Sequence, residues 1–248
     1  MRGCRVSRYR SRMSAASSAA PDVPPSRVSV RVWDLPTRLF HWLLFACVVG
    51  LVITGNVGGG AMGWHFRFGY AVLALLLFRI AWGLVGGRWS RFASFVRGPS
   101  AMLRYLRGQT RADEFADVGH NPLGALSVLA MLGVLLLQVG CGLVADDEIA
   151  NVGPLNRFVS SDLAQWATAW HKGPGKLLLI ALVLLHVAAI VYYRVARRQD
   201  LLGPMLHGDK QLDPATPATR DDLGARVLAA LLLAGCAVAA GFVASLAA

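Results

Sequence analysis

Apolar residues fall into five long runs that polar, charge-rich segments separate. The runs cover residues 39–55, 68–85, 123–145, 177–193 and 227–247. Most of them are close to the length of about 20 residues that a helix needs to cross a bilayer. A membrane-spanning segment must satisfy its backbone hydrogen bonds internally, so each run is expected to be helical. Because 55% of the residues are hydrophobic, the pattern predicts an all-α integral membrane protein.

The formal net charge of +11 is distributed unevenly along the chain. Eight arginines lie in residues 1–38, six in residues 86–122, and six lysines or arginines in residues 194–226. Residues 146–170 contain one basic residue, Arg157. The basic segments are alternate loops, which the positive-inside rule places in the cytoplasm. The charge therefore predicts a cytoplasmic N-terminus and argues against nucleic-acid binding.

Composition divides the chain into four parts. We predict a disordered basic cytoplasmic tail over residues 1–30 and a transmembrane domain over residues 31–200. A cytoplasmic linker follows over residues 201–225, and an accessory transmembrane helix over residues 226–248. An amphipathic piece around residues 101–106 is expected to lie at the inner interface. The four cysteines form no Cys-x-x-Cys pair, which disfavours a zinc ribbon and a covalently attached c-type haem.

The histidines are the candidate chemistry, since ionisable residues are rare within membrane helices and usually mark a site. On the predicted topology, His65 and His171 share the outer level, whereas His41 and His186 share the inner level. Any one of them can be read as an interfacial residue at a helix end. Paired by depth, they favour two b-type haems stacked across a four-helix bundle, each iron held by two imidazoles. Imidazole suits this role because it is largely neutral near pH 7.

The fourth run contains His186, and His171 lies 15 residues before it, just ahead of the run. In a straight helix this spacing spans about 22 Å but leaves the two side chains roughly 60° apart around the axis. The sequence Gly173-Pro174-Gly175 follows His171 directly and is able to kink the first turn. We therefore predict a local distortion that re-aims His171.

Several motifs together resemble one family. They are WDLPTRLFHW at 33–42, HFRFGY at 65–70, FRIAWG at 78–83, RFASF at 91–95, GHNPLG at 119–124 and PMLHG at 204–208. Each alone is weak. Together, over residues 31–212, they resemble the bacterial di-haem cytochrome b family that includes the cytochrome b subunit of nickel-iron hydrogenases.

The resemblance implies a four-helix transmembrane bundle holding two haems b, plus a fifth C-terminal helix outside the shared pattern. It implies His41, His65, His171 and His186 as axial iron ligands, although the family pattern places the last two one residue closer together. It also implies an electron-transfer subunit of an oxidoreductase complex in the bacterial inner membrane. Its partners would be membrane lipid, a quinone or quinol, and a periplasmic redox protein such as a hydrogenase or a c-type cytochrome.

Two further residues have competing interpretations. Arg79 lies near the inner level, where it either pairs with a haem propionate or snorkels to the interface. His120 either helps to bind or protonate a quinone or simply precedes a helix. In the second case Asn121 would be the N-cap and Pro122 would occupy the first turn.

Three alternatives to a di-haem cytochrome remain. A mono-haem variant would have lost the outer site through the changed His171 spacing. A transporter would need a polar path through the membrane, and the first four runs offer only Thr54, Ser127 and Gln138 as uncharged polar residues besides the histidines. A membrane anchor without haem would need no histidine pairing.

Overall fold

Five long helices dominate the fold and confirm the predicted all-α membrane class. The computed structural model describes residues 26–111 and 114–247. In chain order the elements are β1 (Val28–Arg31), α1 (Leu35–Val57), α2 (Met62–Val85), α3 (Phe92–Phe95), α4 (Pro99–Leu106), α5 (Pro122–Val144), α6 (Ser161–Lys172), α7 (Pro174–Val195), α8 (Leu202–His207), β2 (Asp209–Leu212) and α9 (Leu223–Ser245). By length and composition, α1, α2, α5, α9 and the α6–α7 segment are able to cross a membrane.

Side-chain caps explain where three spanning helices begin. Asp34, Asn121 and Asp222 each accept a hydrogen bond from a first-turn amide of α1, α5 and α9, at 2.7–2.8 Å. Such caps satisfy amides that have no partner inside the helix. The predicted cap at Asn121, with Pro122 in the first turn, is confirmed.

Helix α2 is the centre of the bundle and packs against α1, α5 and α9. Its residues Leu75, Phe78 and Trp82 form a core cluster with the small residues Ala225 and Ala229 of α9. Small residues let helices approach closely in a membrane. Helix α5 packs against α6 and α7 as well as α2, so it joins the α6–α7 segment to the rest of the bundle.

A two-stranded antiparallel sheet lies at one end of the bundle, which we call the sheet end. Strand β1 pairs with β2 from Val28↔Leu212 to Arg31↔Asp209, and Arg31 and Asp209 form an ion pair of 2.9 Å. The prediction of a disordered tail to residue 30 is therefore wrong at its C-terminal boundary. Its first 25 residues lie outside the part of the chain that the structure describes. The predicted linker contains α8 and β2.

The amphipathic piece expected around residues 101–106 is helix α4, which packs on α5 near the sheet end. Tyr105 of α4 and Tyr193 of α7 hydrogen-bond through their hydroxyls at 2.9 Å. Asn121 donates to the same Tyr193 hydroxyl at 2.8 Å. The start of α5 is thereby tied to the end of α7.

The opposite end of the bundle carries the connection between α5 and α6, and we call it the loop end. The carboxylate of Asp147 accepts hydrogen bonds from the amides of Ala150 and Asn151 at 2.9 and 2.8 Å. These bonds and the Asn151 side chain hold the pKa of Asp147 well below its usual range. Hydrogen bonds between the Asp147 side chain and main-chain amides of the same loop therefore hold this loop in shape.

Candidate functional site

The four predicted histidines meet in two pairs, one near each end of the bundle. The ring centres of His65 and His171 lie 6.0 Å apart, and those of His41 and His186 lie 6.4 Å apart. The first pair is at the loop end and the second at the sheet end. The histidines that were predicted to share a membrane depth are therefore the ones that lie next to each other across the bundle.

At the loop end, main-chain carbonyls of neighbouring helices orient both rings. His65 Nδ1 lies 3.1 Å from the carbonyl oxygen of Leu51 on α1. His171 Nδ1 lies 2.8 Å from the carbonyl oxygen of Gln138 on α5. Since a carbonyl only accepts, each Nδ1 must donate, and the Nε2 lone pair is left free. This is the arrangement that metal-binding histidines usually show.

A glycine stands four residues after each of these carbonyls. A β-carbon at Gly55 would lie 3.0 Å from Cε1 of His65, and one at Gly142 would lie 3.0 Å from Cε1 of His171. Residues four apart share one face of a helix. The two glycines thus leave room for the imidazoles to reach the carbonyls of Leu51 and Gln138.

The helix between His171 and His186 is interrupted, as we predicted from Gly173-Pro174-Gly175. Helix α6 ends at Lys172, and Gly173 has φ −108° and ψ −108°, outside the helical region. Helix α7 begins at Pro174. The 15-residue spacing is therefore not measured along one straight axis, and His171 faces His65 from the end of a separate helix.

The loop-end pair opens onto a cavity of about 490 Å³. His65 and His171 line it together with Gly55 and Gly142, while most of its wall is apolar side chain from four helices. An apolar cavity with a few convergent polar groups is typical of a cofactor site. Lys172 and Lys176 line it too and provide positive charge beside the histidines.

At the sheet end, several buried nitrogen atoms have no hydrogen-bond partner among the described residues. They are Nε of Arg38, Nδ1 of His41, Nη1 of Arg79 and Nδ1 of His120. Buried polar groups are nearly always paired, so a cluster of orphans needs an explanation such as a bound group. All four side chains are able to donate a hydrogen bond, which suits a ligand that carries acceptor oxygens.

Arg79 is the clearest member of this cluster. The residue is only 3% exposed, and its guanidinium lies 4.7 Å from the ring centre of Phe92. The snorkelling interpretation is therefore wrong, because the side chain does not reach the surface. Asp34 does not neutralise it by contact, since its oxygens accept from Thr37, Trp82 and Ser90.

His120 is half-buried between the rings of Trp33 and Phe95, with centre distances of 4.8 and 4.7 Å. Burial, and then the positive charge of Arg79, lower the pKa of His120 to about 3. The ring is accordingly neutral at physiological pH and able to donate one hydrogen bond. The remaining histidine, His207, is exposed at the end of α8.

The spacing of the rings fits one metal ion between each pair. A metal–imidazole bond is about 2.0 Å, which separates the centres of two facing rings by roughly 6 Å. Within residues 26–111 and 114–247, no three His, Cys, Asp or Glu side chains converge to hold a bare ion. Two imidazoles suit a metal whose other ligands come from a macrocycle, as in haem.

Reasoning from the sequence missed the residues that orient the rings. Gln138 appeared only as a polar residue in an apolar run, while Leu51, Gly55 and Gly142 carried no signal of their own. Their role lies in main-chain carbonyls and in the absence of a side chain. The single hint in the sequence is a lone glutamine inside a membrane span, a placement that is costly without a purpose.

Comparison with known proteins identifies relatives over most of the chain. Residues 32–208 match the family described as prokaryotic cytochrome b561. The probable Ni/Fe-hydrogenase 1 B-type cytochrome subunit of Escherichia coli K12 is 26% identical over 216 residues, covering 73% of this chain and 90% of the relative. The corresponding subunits of Azotobacter vinelandii and Bradyrhizobium diazoefficiens are 28% and 23% identical. They cover 73% and 79% of this chain, and 88% and 92% of their own lengths.

Proposed function

We propose that this chain, which belongs to the prokaryotic cytochrome b561 family, is a di-haem electron carrier of the inner membrane. Membership of the family implies haem b and membrane electron transfer. The finer proposal is that His65 and His171 hold one haem and His41 and His186 hold the other. The carrying observation is the presence of two imidazole pairs at two depths, each with ring centres about 6 Å apart.

When bound, each haem supplies a one-electron redox couple, and the protein determines its position and potential. At the loop end, the Leu51 and Gln138 carbonyls hold the Nδ1 protons, and the apolar wall of the cavity excludes water. At the sheet end, Arg79 offers a buried guanidinium whose Nη1 has no hydrogen-bond partner among the described residues, and we propose that it pairs with a haem propionate. His120 is left without a defined role in this scheme.

The orientation follows from charge. The sheet end carries the basic segments, and the connection between α5 and α6 carries Asp146, Asp147 and Glu148 against the single Arg157. By the positive-inside rule the sheet end faces the cytoplasm. The loop-end haem would then lie near the periplasm.

The partners follow from the relatives, whose names describe them as subunits of Ni/Fe-hydrogenases. We propose that a periplasmic redox protein, a hydrogenase or a c-type cytochrome, docks at the loop end. A quinone or quinol in the bilayer would be the other partner. Reduction of the haems by a quinol, or their oxidation by a quinone, in protein-containing liposomes would test the second part.

The first experiment is haem content per chain of the detergent-purified protein, together with a reduced-minus-oxidised spectrum. Two non-covalent b-type haems per chain are expected. One haem would indicate a mono-haem protein with a single working pair. No haem in a folded preparation supplied with haem would overturn the proposal and favour an anchor or a transporter.

A further inference from the structure

We infer that Gln138 is a positioning residue for His171, one that fixes the ring and the backbone of this histidine together. The inference rests on the proposed function, in which His171 is an axial ligand of the loop-end haem. It concerns a residue that lies in a different helix from His171.

Two hydrogen bonds run in opposite directions between the same two residues. The carbonyl oxygen of Gln138 accepts from Nδ1 of His171 at 2.8 Å. The side-chain amide of Gln138 donates from Nε2 to the carbonyl oxygen of His171 at 3.2 Å. One contact sets the tilt of the imidazole and the other sets the main chain that carries it.

The hydrogen bond from the Gln138 amide to the His171 carbonyl compensates for the interruption of the helix at Gly173. In a continuous helix the His171 carbonyl would accept from the amide of residue 175. The break at Gly173 separates α6 from α7, and this helical bond is absent from the described backbone. A carbonyl without a donor is costly inside a membrane, and Gln138 supplies the donor.

The partner histidine provides an internal comparison. Leu51 does for His65 what the main chain of Gln138 does for His171, and each carbonyl is followed by a glycine four residues later. Position 51 nevertheless carries an apolar side chain. His65 lies within the unbroken helix α2, so its backbone needs no extra donor. The glutamine occurs on the side where the helix is broken.

The Oε1 atom of Gln138 is also tightly packed beside the interruption between α6 and α7. Gln138 is 8% exposed, and its Oε1 atom and the indole Nε1 of Trp170 are both buried without partners in the part of the chain that the structure describes. A β-carbon at Gly175 would collide with both atoms. The first turn of α7 thus leaves no space for Gln138 to swing away from His171.

The test replaces Gln138→Met, which keeps the length of the side chain and removes its hydrogen-bonding atoms. Leu51→Met is the matched control, because it changes the equivalent position beside His65 without removing a polar contact. Both holoproteins would be titrated potentiometrically and examined by low-temperature electron paramagnetic resonance. The resonance reports the mutual orientation of the two axial rings.

We expect Gln138→Met to retain two haems but to raise one midpoint potential and to shift one ferric low-spin signal. Removing the side-chain amide loosens the main chain of His171 and with it the hydrogen bond from Nδ1 to the Gln138 carbonyl. A less firmly held Nδ1 proton makes the imidazole a weaker donor to ferric iron. Leu51→Met should leave both signals unchanged. Wild-type potentials and signals in Gln138→Met would overturn the inference, as would equal shifts in the two variants.

If Gln138→Met does not accumulate, Gln138→Asn keeps the amide and the polarity but is too short to reach the His171 carbonyl. The same single-haem shift is expected, and two unchanged signals would overturn the inference. Failure of the proposed function would look different, because the wild-type protein would then contain one haem or none.

Discussion

At the loop end the Nδ1 atoms of His65 and His171 hydrogen-bond to main-chain carbonyls of neighbouring helices. At the sheet end Nδ1 of His41 is buried without a partner among the described residues, as are nitrogen atoms of Arg79 and His120. The two pairs nevertheless have similar ring spacings, 6.0 and 6.4 Å. The two histidine pairs thus have similar ring spacings although different groups surround them.

The two ends differ in what their polar groups bind: the protein itself at the loop end and, in the proposed function, a bound group at the sheet end. The loop-end rings are oriented by the protein alone, so their geometry should depend on backbone contacts and on the glycines beside them. The sheet-end donors are satisfied only if a group with acceptor oxygens is bound, because orphaned buried donors are otherwise costly. The loop end should therefore respond to changes in shape and the sheet end to changes in charge.

The largest expected effect is loss of one haem when a ligand is removed. His65→Ala and His171→Ala should each halve the haem content and leave the same residual spectrum. His41→Ala and His186→Ala should leave the complementary one. In the proposed function each imidazole is one of two ligands of the same iron, so either loss would disable the same pair. Haem per chain and reduced-minus-oxidised spectra measure this.

His207→Ala is the matched control, because His207 is exposed at the end of α8 and should leave two haems in place. If the four variants did not fall into these two spectral groups, the assignment of the pairs would be wrong. The single-haem variants would also assign each midpoint potential to one end of the bundle.

The next effect should come from filling the space beside a loop-end ring with Gly142→Ala. The new β-carbon would meet Cε1 of His171 at 3.0 Å, and overpacking typically costs about 1–3 kcal/mol. We expect haem affinity at the loop end to fall by on the order of tenfold, since 1.4 kcal/mol corresponds to that factor. Competition with a haem-binding apoprotein measures this loss.

Gly140→Ala serves as its control, because a β-carbon at position 140 meets nothing within 4 Å. It lies in the same turn of α5 and should leave haem affinity unchanged. Equal behaviour of the two glycine variants would show that the loop-end site is not limited by shape.

At the sheet end, Arg79→Gln should change a potential without releasing haem. Removing a buried cation beside a haem carboxylate favours the ferric state, so the sheet-end potential should fall. A tenfold change in a one-electron equilibrium corresponds to about 59 mV, and we expect a shift of that order. Potentiometric titration in the His65→Ala background would isolate this haem.

Arg91→Gln removes an exposed charge on the same side of the membrane and should leave the potential close to its wild-type value. An unchanged potential in Arg79→Gln would refute the propionate pairing and leave the buried guanidinium unexplained.

The comparison also explains what could be predicted from the sequence. Five spans and the depths of four histidines follow from hydropathy and from the rise of a helix, both of which are local properties. The cap at Asn121 and the break at Gly173 follow from local backbone chemistry. Strand β1 was missed because four residues pair with a segment about 180 positions away, beyond any local periodicity.

The ring-orienting contacts escaped prediction for a different reason. Every residue has a main-chain carbonyl, so the sequence does not indicate that the carbonyl of Leu51 is the acceptor for His65. The orphaned donors were partly visible, since Arg79 in an apolar run is unusual. Whether it was buried or snorkelled depended on packing against Phe92, which only the folded chain shows.

The smallest expected effect concerns the loop that closes the loop end. Asp147→Ala removes the acceptor for the amides of Ala150 and Asn151, so the loop should open more often. Arg157, the only basic residue between positions 146 and 170, is exposed. Trypsin should cleave there severalfold faster, while both haem spectra stay unchanged because main-chain carbonyls, and not the loop, orient the rings.

Glu148→Gln is the control, since that side chain accepts only from Gln165 at 2.9 Å and should leave the cleavage rate close to that of the wild type. The lowered pKa of Asp147 keeps its carboxylate ionised from pH 5 to 8. Its stabilising effect is lost only as the pH falls below the usual range of aspartate, toward the lowered pKa. Loss of the loop-end haem in Asp147→Ala would contradict the comparison, because the loop would then contribute to the setting of the histidines.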